Sequence, residues 1–408
     1  MDVTLKKSIL KNNQSIAISG SKSETNRLLL LQKLYPNLEI INASFSDDSK
    51  VMMNALTSNQ TVVDVHHAGT AMRFLTAYYA IDNSLNETIL TGSLRMKERP
   101  IKILVDALKQ LDVTVSYLEK EGFPPIKING QEIVKNKVTV PANVSSQYIS
   151  ALILIAPKLQ NGLEIKLIGK ITSLPYLKMT LAILQDLGIE TYFKDNIITI
   201  KSTSELKKTS FTVESDWSSA SYFFSFIALS AIGSKLSLSS FKKNSLQGDA
   251  VLIDIYKNFG VQATFEKDVL VLEKIEKHTL EFLNLNLNNA PDIAQTIAVT
   301  CLGLHVKCNL EGLHTLKIKE TDRLQALKNE LEKFGAIVEI TDDSLKIYNT
   351  VDFVNEDVQI ETYQDHRMAM AFAPLALKQS IIIKDTEVVS KSYPNFWEDM
   401  KSIGIMSK

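Results

Sequence analysis

The sequence predicts an α/β protein built from about six copies of one unit: strand, buried helix, strand, outer helix, strand, strand. Three observations predict it. Helix-to-turn junctions recur at Asp112, Gly188, Gly260 and Gly335, spaced 76, 72 and 75 residues apart. Apolar helices start near Thr70, Ser145, Trp217, Asp292 and His366, spaced 75, 72, 75 and 74 residues apart. Short alternating runs such as Ile197-Ile198-Thr199-Ile200 and Val269-Leu270-Val271-Leu272 follow the turns and read as strands. Repeats of this length are supersecondary units that bury their faces against one another.

The elements follow in order. Ser15 to Ile18 is a short strand that runs through Gly20 into a helix starting near Lys22. The helix series from Thr70 onward is apolar nearly all round, as in Ala151-Leu152-Ile153-Leu154-Ile155-Ala156 and Tyr222-Phe223-Phe224-Ser225-Phe226-Ile227. Such helices are buried on every side. The outer helices begin near Leu104, Leu181, Leu252 and Leu327 and are amphipathic. A glycine after a helix is the usual residue for the left-handed C-terminal turn, which Gly188, Gly260 and Gly335 supply. A last helix near Pro394 to Ile403 ends at Gly404. Six units divide into two groups of three. The simplest arrangement is a two-lobed fold, with one lobe of residues 1–19 plus 215–408 and an inserted lobe of residues 20–214. An inter-lobe cleft is then the expected place for a ligand.

Composition narrows the function. Hydrophobic residues make up 45% and charged residues 22% of the 408, ordinary values for a globular protein. The net charge is −1, so neither a nucleic acid nor a membrane surface is an expected partner. No apolar run reaches about 18 residues, so no transmembrane helix is expected. Met1 to Lys11 is polar and does not read as a signal peptide. Cys301 and Cys308 read as buried thiols in a reducing cytoplasm, and no Cys/His spacing suggests a metal. His66 and His67 read as ordinary loop residues.

Arginine is scarce. Only Arg27, Arg73, Arg95, Arg99, Arg323 and Arg367 occur among 45 basic residues. Lysine serves wherever a generic positive charge suffices. Arginine remains where a planar donor fork is useful, which points to carboxylate or phosphate recognition. All six lie at predicted helix starts or turns, beside Ser, Thr, Asp or Glu. A helix start offers unpaired N–H groups and partial positive charge, so it favours an anion. Gly20-Ser21-Lys22-Ser23 opens the first such start, and more follow at Gly69-Thr70, Ser145-Ser146-Gln147, Ser218-Ser219, Pro291-Asp292, Lys319-Glu320-Thr321-Asp322-Arg323 and Asp365-His366-Arg367. Each alone also reads as an N-cap or a solvated first turn. Together they suit substrates carrying phosphate and carboxylate groups.

These residues, read in order, resemble the 5-enolpyruvylshikimate-3-phosphate (EPSP) synthase family. The matching text is Gly20-Ser21-Lys22-Ser23-x-x-Asn26-Arg27, Ala68-Gly69-Thr70-Ala71-Met72-Arg73, Arg95-Met96-Lys97-Glu98-Arg99-Pro100 and Val144-Ser145-Ser146-Gln147. It continues with Ser218-Ser219-Ala220-Ser221-Tyr222, Asn244-Ser245-x-Gln247-Gly248-Asp249, Pro291-Asp292, Lys319-Glu320-Thr321-Asp322-Arg323-Leu324 and Asp365-His366-Arg367-Met368-Ala369-Met370. The resemblance spans essentially the whole chain. It implies two lobes of three βαβαββ units each. It also implies transfer of enolpyruvyl from phosphoenolpyruvate to the 5-hydroxyl of shikimate 3-phosphate, with release of phosphate.

By the same resemblance, Lys22, Ser23, Arg27, Ser145, Ser146, Gln147, Ser173, Asp292 and Lys319 would hold shikimate 3-phosphate. Lys22, Gly69, Arg95, Gln147, Arg323, Arg367 and Lys391 would hold phosphoenolpyruvate. Arg73 and Arg99 are left as support, pairing with acids such as Glu98. Asp292 is expected as the base and Glu320 as the proton donor, with Lys22 and Lys391 as alternatives for the donor. No cofactor or metal is expected, the partners are the two small molecules, and a monomer is expected. Thr315 departs from the family pattern where some members have Asn, four residues before Lys319, so that role is not carried over; two further departures are His67, where Asn is frequent, and Phe74, where Pro is frequent. Both flank the phosphoenolpyruvate residues, so the response to the family inhibitor glyphosate does not follow from sequence. Two other readings use the same features. One is UDP-N-acetylglucosamine enolpyruvyl transferase, whose family uses a loop cysteine. The other is a non-catalytic two-lobed anion-binding protein.

Overall fold

The strands are short, and four sheets pair theirs in one order. In the computed structural model, which describes residues 1–143, 145–349, 353 and 357–407, two compact units form. One is Gly20–Val213 and the other is Met1–Ser19 with Glu214–Lys408. Val144 of the quoted serine motif lies outside the described residues.

In the Gly20–Val213 unit, strand Val62–Asp64 runs parallel to Thr88–Thr91. Ile126–Asn129 and Thr114–Tyr117 then continue the sheet antiparallel. The helix Gly69–Ile81 joins the parallel pair, and Lys102–Gln110 leads into the antiparallel strands. A second sheet repeats this order with Lys137–Pro141, Leu163–Ile168, Ile197–Ile200 and Thr191–Lys194. Its helices are Ser146–Ile155 and Leu174–Asp186. The third sheet of this unit is only a parallel pair, Glu39–Ile41 with Ser210–Thr212. The helices beside it, Lys22–Leu34 and Asp47–Thr57, come from the start of the unit and one of its strands from the end.

In the other unit, Gln14–Ile16 pairs parallel with Lys235–Leu238, which continues antiparallel into Val269–Lys274 and Val261–Glu266. Phe282–Asn286, Lys307–Glu311, Ser344–Ile347 and Val338–Ile340 repeat the order. The last sheet sets Val358–Ile360 parallel to Ile381–Ile383 and closes with Val3–Leu5 from the chain start. The unit is therefore α/β as predicted, but two of the sheets described here are assembled from segments distant in sequence.

Each unit has its own core. Trp217–Leu229 is buried along nearly its whole length, as its all-round apolar pattern requires. Two of its hydroxyls find partners inside, Ser221 with Thr296 at 3.0 Å and Ser225 with Thr300 at 2.7 Å. The turn residues are left-handed where expected, with φ of 65° at Asp112 and 85° at Gly188.

The boundary differs from the sequence reading by one residue. Glu214, expected in the inserted lobe, belongs to the unit with the chain termini. Its buried carboxylate accepts from Trp217 Nε1 at 2.8 Å, Lys242 N at 2.9 Å and Ser245 Oγ at 2.7 Å. A buried carboxylate goes where its donors are, and these three lie beyond residue 214.

Gly20 is required sterically. A Cβ there would lie 1.8 Å from the Asn42 carbonyl oxygen and 2.9 Å from the Val213 side chain. Gly20→Ala is therefore expected to destabilise the Gly20–Val213 unit by about 1–3 kcal/mol, the usual cost of forced overpacking. Urea denaturation checks this, and an unchanged midpoint would contradict it.

Candidate active site

Helix starts carry most of the candidate residues, and the two units treat them differently. In the Gly20–Val213 unit, Ser21 caps the Lys22–Leu34 helix. Lys22 Nζ reaches Asp48 Oδ2 at 3.1 Å, and His67 Nε2 faces Asp48 Oδ1 at 3.6 Å. Asp48 is at the start of the Asp47–Thr57 helix, where an ionised carboxylate is favoured. His67 lies in a turn, as expected from sequence, with its ring beside Asp48. Ser145 caps Ser146–Ile155, and Gln147 Nε2 donates to Thr70 Oγ1 at 3.2 Å. Ser173 holds a left-handed backbone, φ 56°, just before Leu174–Asp186. Such a conformation is uncommon away from glycine.

The arginines of this unit divide by burial. Arg27 is 2% exposed. Its guanidinium donates to Thr180 Oγ1 at 2.7 Å, Ser23 O at 2.7 Å, Ser150 Oγ at 3.3 Å and Tyr176 O at 3.4 Å. Burial pulls its pKa down to about 10, still charged at neutral pH. Among the described residues, Arg73 does not pair with an acid as expected. It donates to the carbonyls of Gly69 at 3.2 Å and Pro100 at 2.8 Å. Glu98 instead pairs with Arg95 at 3.0 Å, on a side chain 41% exposed. Arg99 lies against Gly69, where a Cβ would meet its guanidinium at 2.6 Å. A side chain at residue 69 would have to displace that guanidinium.

The other unit gathers its charges into one network. Arg323, 2% exposed, donates from Nε to Asp365 at 2.6 Å, from Nη1 to Asp292 at 2.9 Å and from Nη2 to Glu320 at 2.7 Å. Lys319 and Arg367 each lie 3.3 Å from an Asp292 oxygen. Arg367 also donates to the Asp292 carbonyl at 3.0 Å and to Ser218 Oγ at 3.3 Å. Ser218 in turn donates to Asp249 through a short hydrogen bond. Asp365 caps the His366–Phe372 helix through Arg367 N at 2.9 Å. Lys391 Nζ donates to the Gln364 carbonyl at 2.7 Å.

Protonation follows from this geometry. Burial works against charge on Asp292, but Arg367, Lys319 and Arg323 outweigh it and hold the carboxyl well below the usual range. Burial pulls Lys319 down. Asp249 goes the other way: burial, aided by the charge of Asp292, pushes it up to about 7. Neighbouring carboxyls thus differ sharply in proton affinity, a pattern concentrated at functional sites. Among the described residues, no group of three or more His, Cys, Asp or Glu side chains is placed to hold a metal.

Sequence reasoning missed roles for Asp48, Ser218, Asp249 and Asp365. The last three stand inside quoted motifs, but nothing in the sequence tells which cation each meets. Gln247, another motif residue, serves local structure: it accepts from Trp217 N at 3.0 Å and donates to Ser215 O at 2.9 Å.

The same motifs decide kinship. A family model described as EPSP synthase (3-phosphoshikimate 1-carboxyvinyltransferase) matches residues 54–400. The chain belongs to the EPSP synthase family. A relative named 3-phosphoshikimate 1-carboxyvinyltransferase from Bacteroides fragilis (strain YCH46) is 40% identical over 393 residues, covering 96% of this chain and 95% of that one. One of the same name from Haemophilus influenzae (strain ATCC 51907 / DSM 11121 / KW20 / Rd) is 36% identical, covering 95% of this chain and 96% of its own. A solved EPSP synthase from Acinetobacter baumannii superposes with a TM-score of 0.79 at 19% identity, over 100% of this chain and 99% of that one. That likeness is one of fold. The EPSP synthase family thus accounts for the fold and for the motifs.

Two outcomes follow from the network. Arg323→Met would leave Asp365, 0% exposed, without its guanidinium, so it should cost about 3–5 kcal/mol of stability. Adding Asp365→Asn should recover part of that loss in urea melts. Asp249 governs a pH effect. Its folded pKa is raised, so the folded state binds the proton more tightly than the unfolded chain. That stability is present below the ordinary value of 3.8 and is lost as pH rises through about 7. Asp249→Asn cannot ionise, so its unfolding midpoint relative to wild type should climb between pH 5 and pH 8. A constant difference would contradict the assignment.

Proposed function

We propose that the chain transfers the enolpyruvyl group of phosphoenolpyruvate to the 5-hydroxyl of shikimate 3-phosphate and releases phosphate. This is the activity for which its relatives are named. The observation that carries it is Asp292, a carboxylate kept ionised at a helix start by Lys319, Arg323 and Arg367. Such a group can accept a hydroxyl proton, and the cations around it suit phosphate and carboxylate oxygens.

The roles divide as follows. Lys22, Ser23, Arg27, Ser145, Ser146, Gln147, Ser173, Asp292 and Lys319 hold shikimate 3-phosphate. Lys22, Gly69, Arg95, Gln147, Arg323, Arg367 and Lys391 hold phosphoenolpyruvate. The 5-hydroxyl oxygen bonds to C2 of phosphoenolpyruvate as its proton passes to Asp292, while C3 takes a proton from Glu320, which must first take one up from solvent as the substrates bind, and becomes a methyl group. C3 then returns a proton, the C2–O bond to phosphate breaks, and the enol ether is left. Asp292 is a weak base while three cations surround it. Substrate anions that draw on Lys319 and Arg367 raise its basicity where the hydroxyl arrives. Arg323 is committed to three carboxylates, so its chief part is to hold Asp292 and Glu320 in place.

The UDP-N-acetylglucosamine alternative lacks its cysteine here. Cys301 is in the Ala294–Gly303 helix and Cys308 in the Lys307–Glu311 strand, both 0% exposed free thiols. Among the described residues, no helix is long and apolar enough to cross a membrane. The cytoplasm is the compartment assigned, with a monomer as the working unit.

Phosphate release with both substrates tests the reading, and no turnover would defeat it. Asp292→Asn and Glu320→Gln should each lower kcat by about 10²–10⁴, the usual worth of one acid or base. Glu320→Gln should also slow deuterium entry at C3 of phosphoenolpyruvate in heavy water. Undiminished exchange would move the donor role to Lys22 or Lys391.

A further inference from the structure

The Asp48 carboxylate faces two nitrogen bases at once. Lys22 Nζ is 3.1 Å from Oδ2 and His67 Nε2 is 3.6 Å from Oδ1. Asp48 is nearly buried, its side chain 7% exposed, while Lys22 is 17% and His67 32% exposed. A carboxylate so placed needs a cation. Lys22 supplies it here, and one negative charge then meets one positive charge.

An anion arriving at Lys22 upsets that balance. The ammonium would serve Asp48 and the newcomer together, leaving a net negative charge around it. Imidazole is the side chain that can add a positive charge near neutral pH. His67 is already aimed at the free side of the carboxylate. We propose that His67 is a positioning residue that takes up a proton as an anion binds, pairs with Asp48, and lets Lys22 turn its charge to the anion. This rests on the proposal that Lys22 holds an anionic substrate.

The other charged groups nearby come from each neighbouring element. Asp64 ends the strand Val62–Asp64 just before this turn, 3.8 Å from His66, with its Oδ1 accepting from His66 N. Asp47 pairs with Lys50 at 3.7 Å on the Asp48 helix. Arg99 lies against Gly69, two residues after His67. Asp48 is the acid within 4 Å of the His67 ring among the ion pairs described.

The protonation of His67 can be followed by NMR of ¹³C,¹⁵N-histidine enzyme, its signals assigned by their loss in His67→Asn. Asp48→Asn should lower the titration midpoint of His67, and Lys22→Met, which removes the competing cation, should raise it. Phosphoenolpyruvate should raise it in the wild type. Kinetics supply the second arm. The KM for phosphoenolpyruvate should rise about fivefold or more from pH 6 to pH 8.5 in the wild type, an ordinary coupling between two sites. His67→Asn should lose this dependence while kcat changes little. Equal KM profiles in wild type and His67→Asn, or a His67 midpoint indifferent to Asp48→Asn and Lys22→Met, would overturn the proposal. The variant titrations need no turnover, so a wild type inactive on these substrates would defeat the functional reading separately.

Discussion

A buried guanidinium organises the charged half of this protein. Arg323 is almost without solvent, and its donors go to Asp365, Asp292 and Glu320. The arrangement is reciprocal. Three carboxylates at that depth favour a buried cation, and the Arg323 guanidinium could not be buried without acids to meet it. Lys319 and Arg367 then close on Asp292 from other segments. The network therefore depends on three chain segments meeting, which the parallel sheet pairs and buried helices of that unit bring about.

Helix starts explain where these groups sit. Asp365 and Asp322 are N-caps, and Asp292 stands in the short turn that opens Ala294–Gly303. A helix start favours a carboxylate, and Asp365 and Asp292 are then matched by cations from neighbouring starts, while Asp322 caps its own helix through Gln325 N. Asp249 meets Ser218, and burial together with the charge of Asp292 outweighs the pull of Arg367, so it keeps its proton to higher pH. The same rule places Asp48 beside Lys22 in the Gly20–Val213 unit.

The arginines show how composition informs and misleads. Scarcity pointed to specific use, and Arg27, Arg73, Arg95, Arg323 and Arg367 engage named oxygen acceptors. In Arg27, Arg73 and Arg323 much of the fork is spent inside the protein, on hydroxyls, carbonyls or carboxylates. A planar donor suits a protein oxygen as well as a ligand oxygen. Sequence cannot separate these uses, because burial and distance decide between them.

By itself the sequence determined the helices, their burial and their left-handed turns. These are local matters: an apolar residue at every position buries a helix, and a glycine after it ends it. It also determined the kinship, since the motifs stand in order along the chain. Only the tertiary structure decided which strands pair across the chain, as Glu39–Ile41 does with Ser210–Thr212 and Val3–Leu5 with Ile381–Ile383. Only it decided that Glu98 meets Arg95, that Arg73 meets carbonyls, and that Asp48 lies between Lys22 and His67. A charge names what it can attract. Which partner it meets is set by packing between residues far apart in the chain, and no local pattern records that.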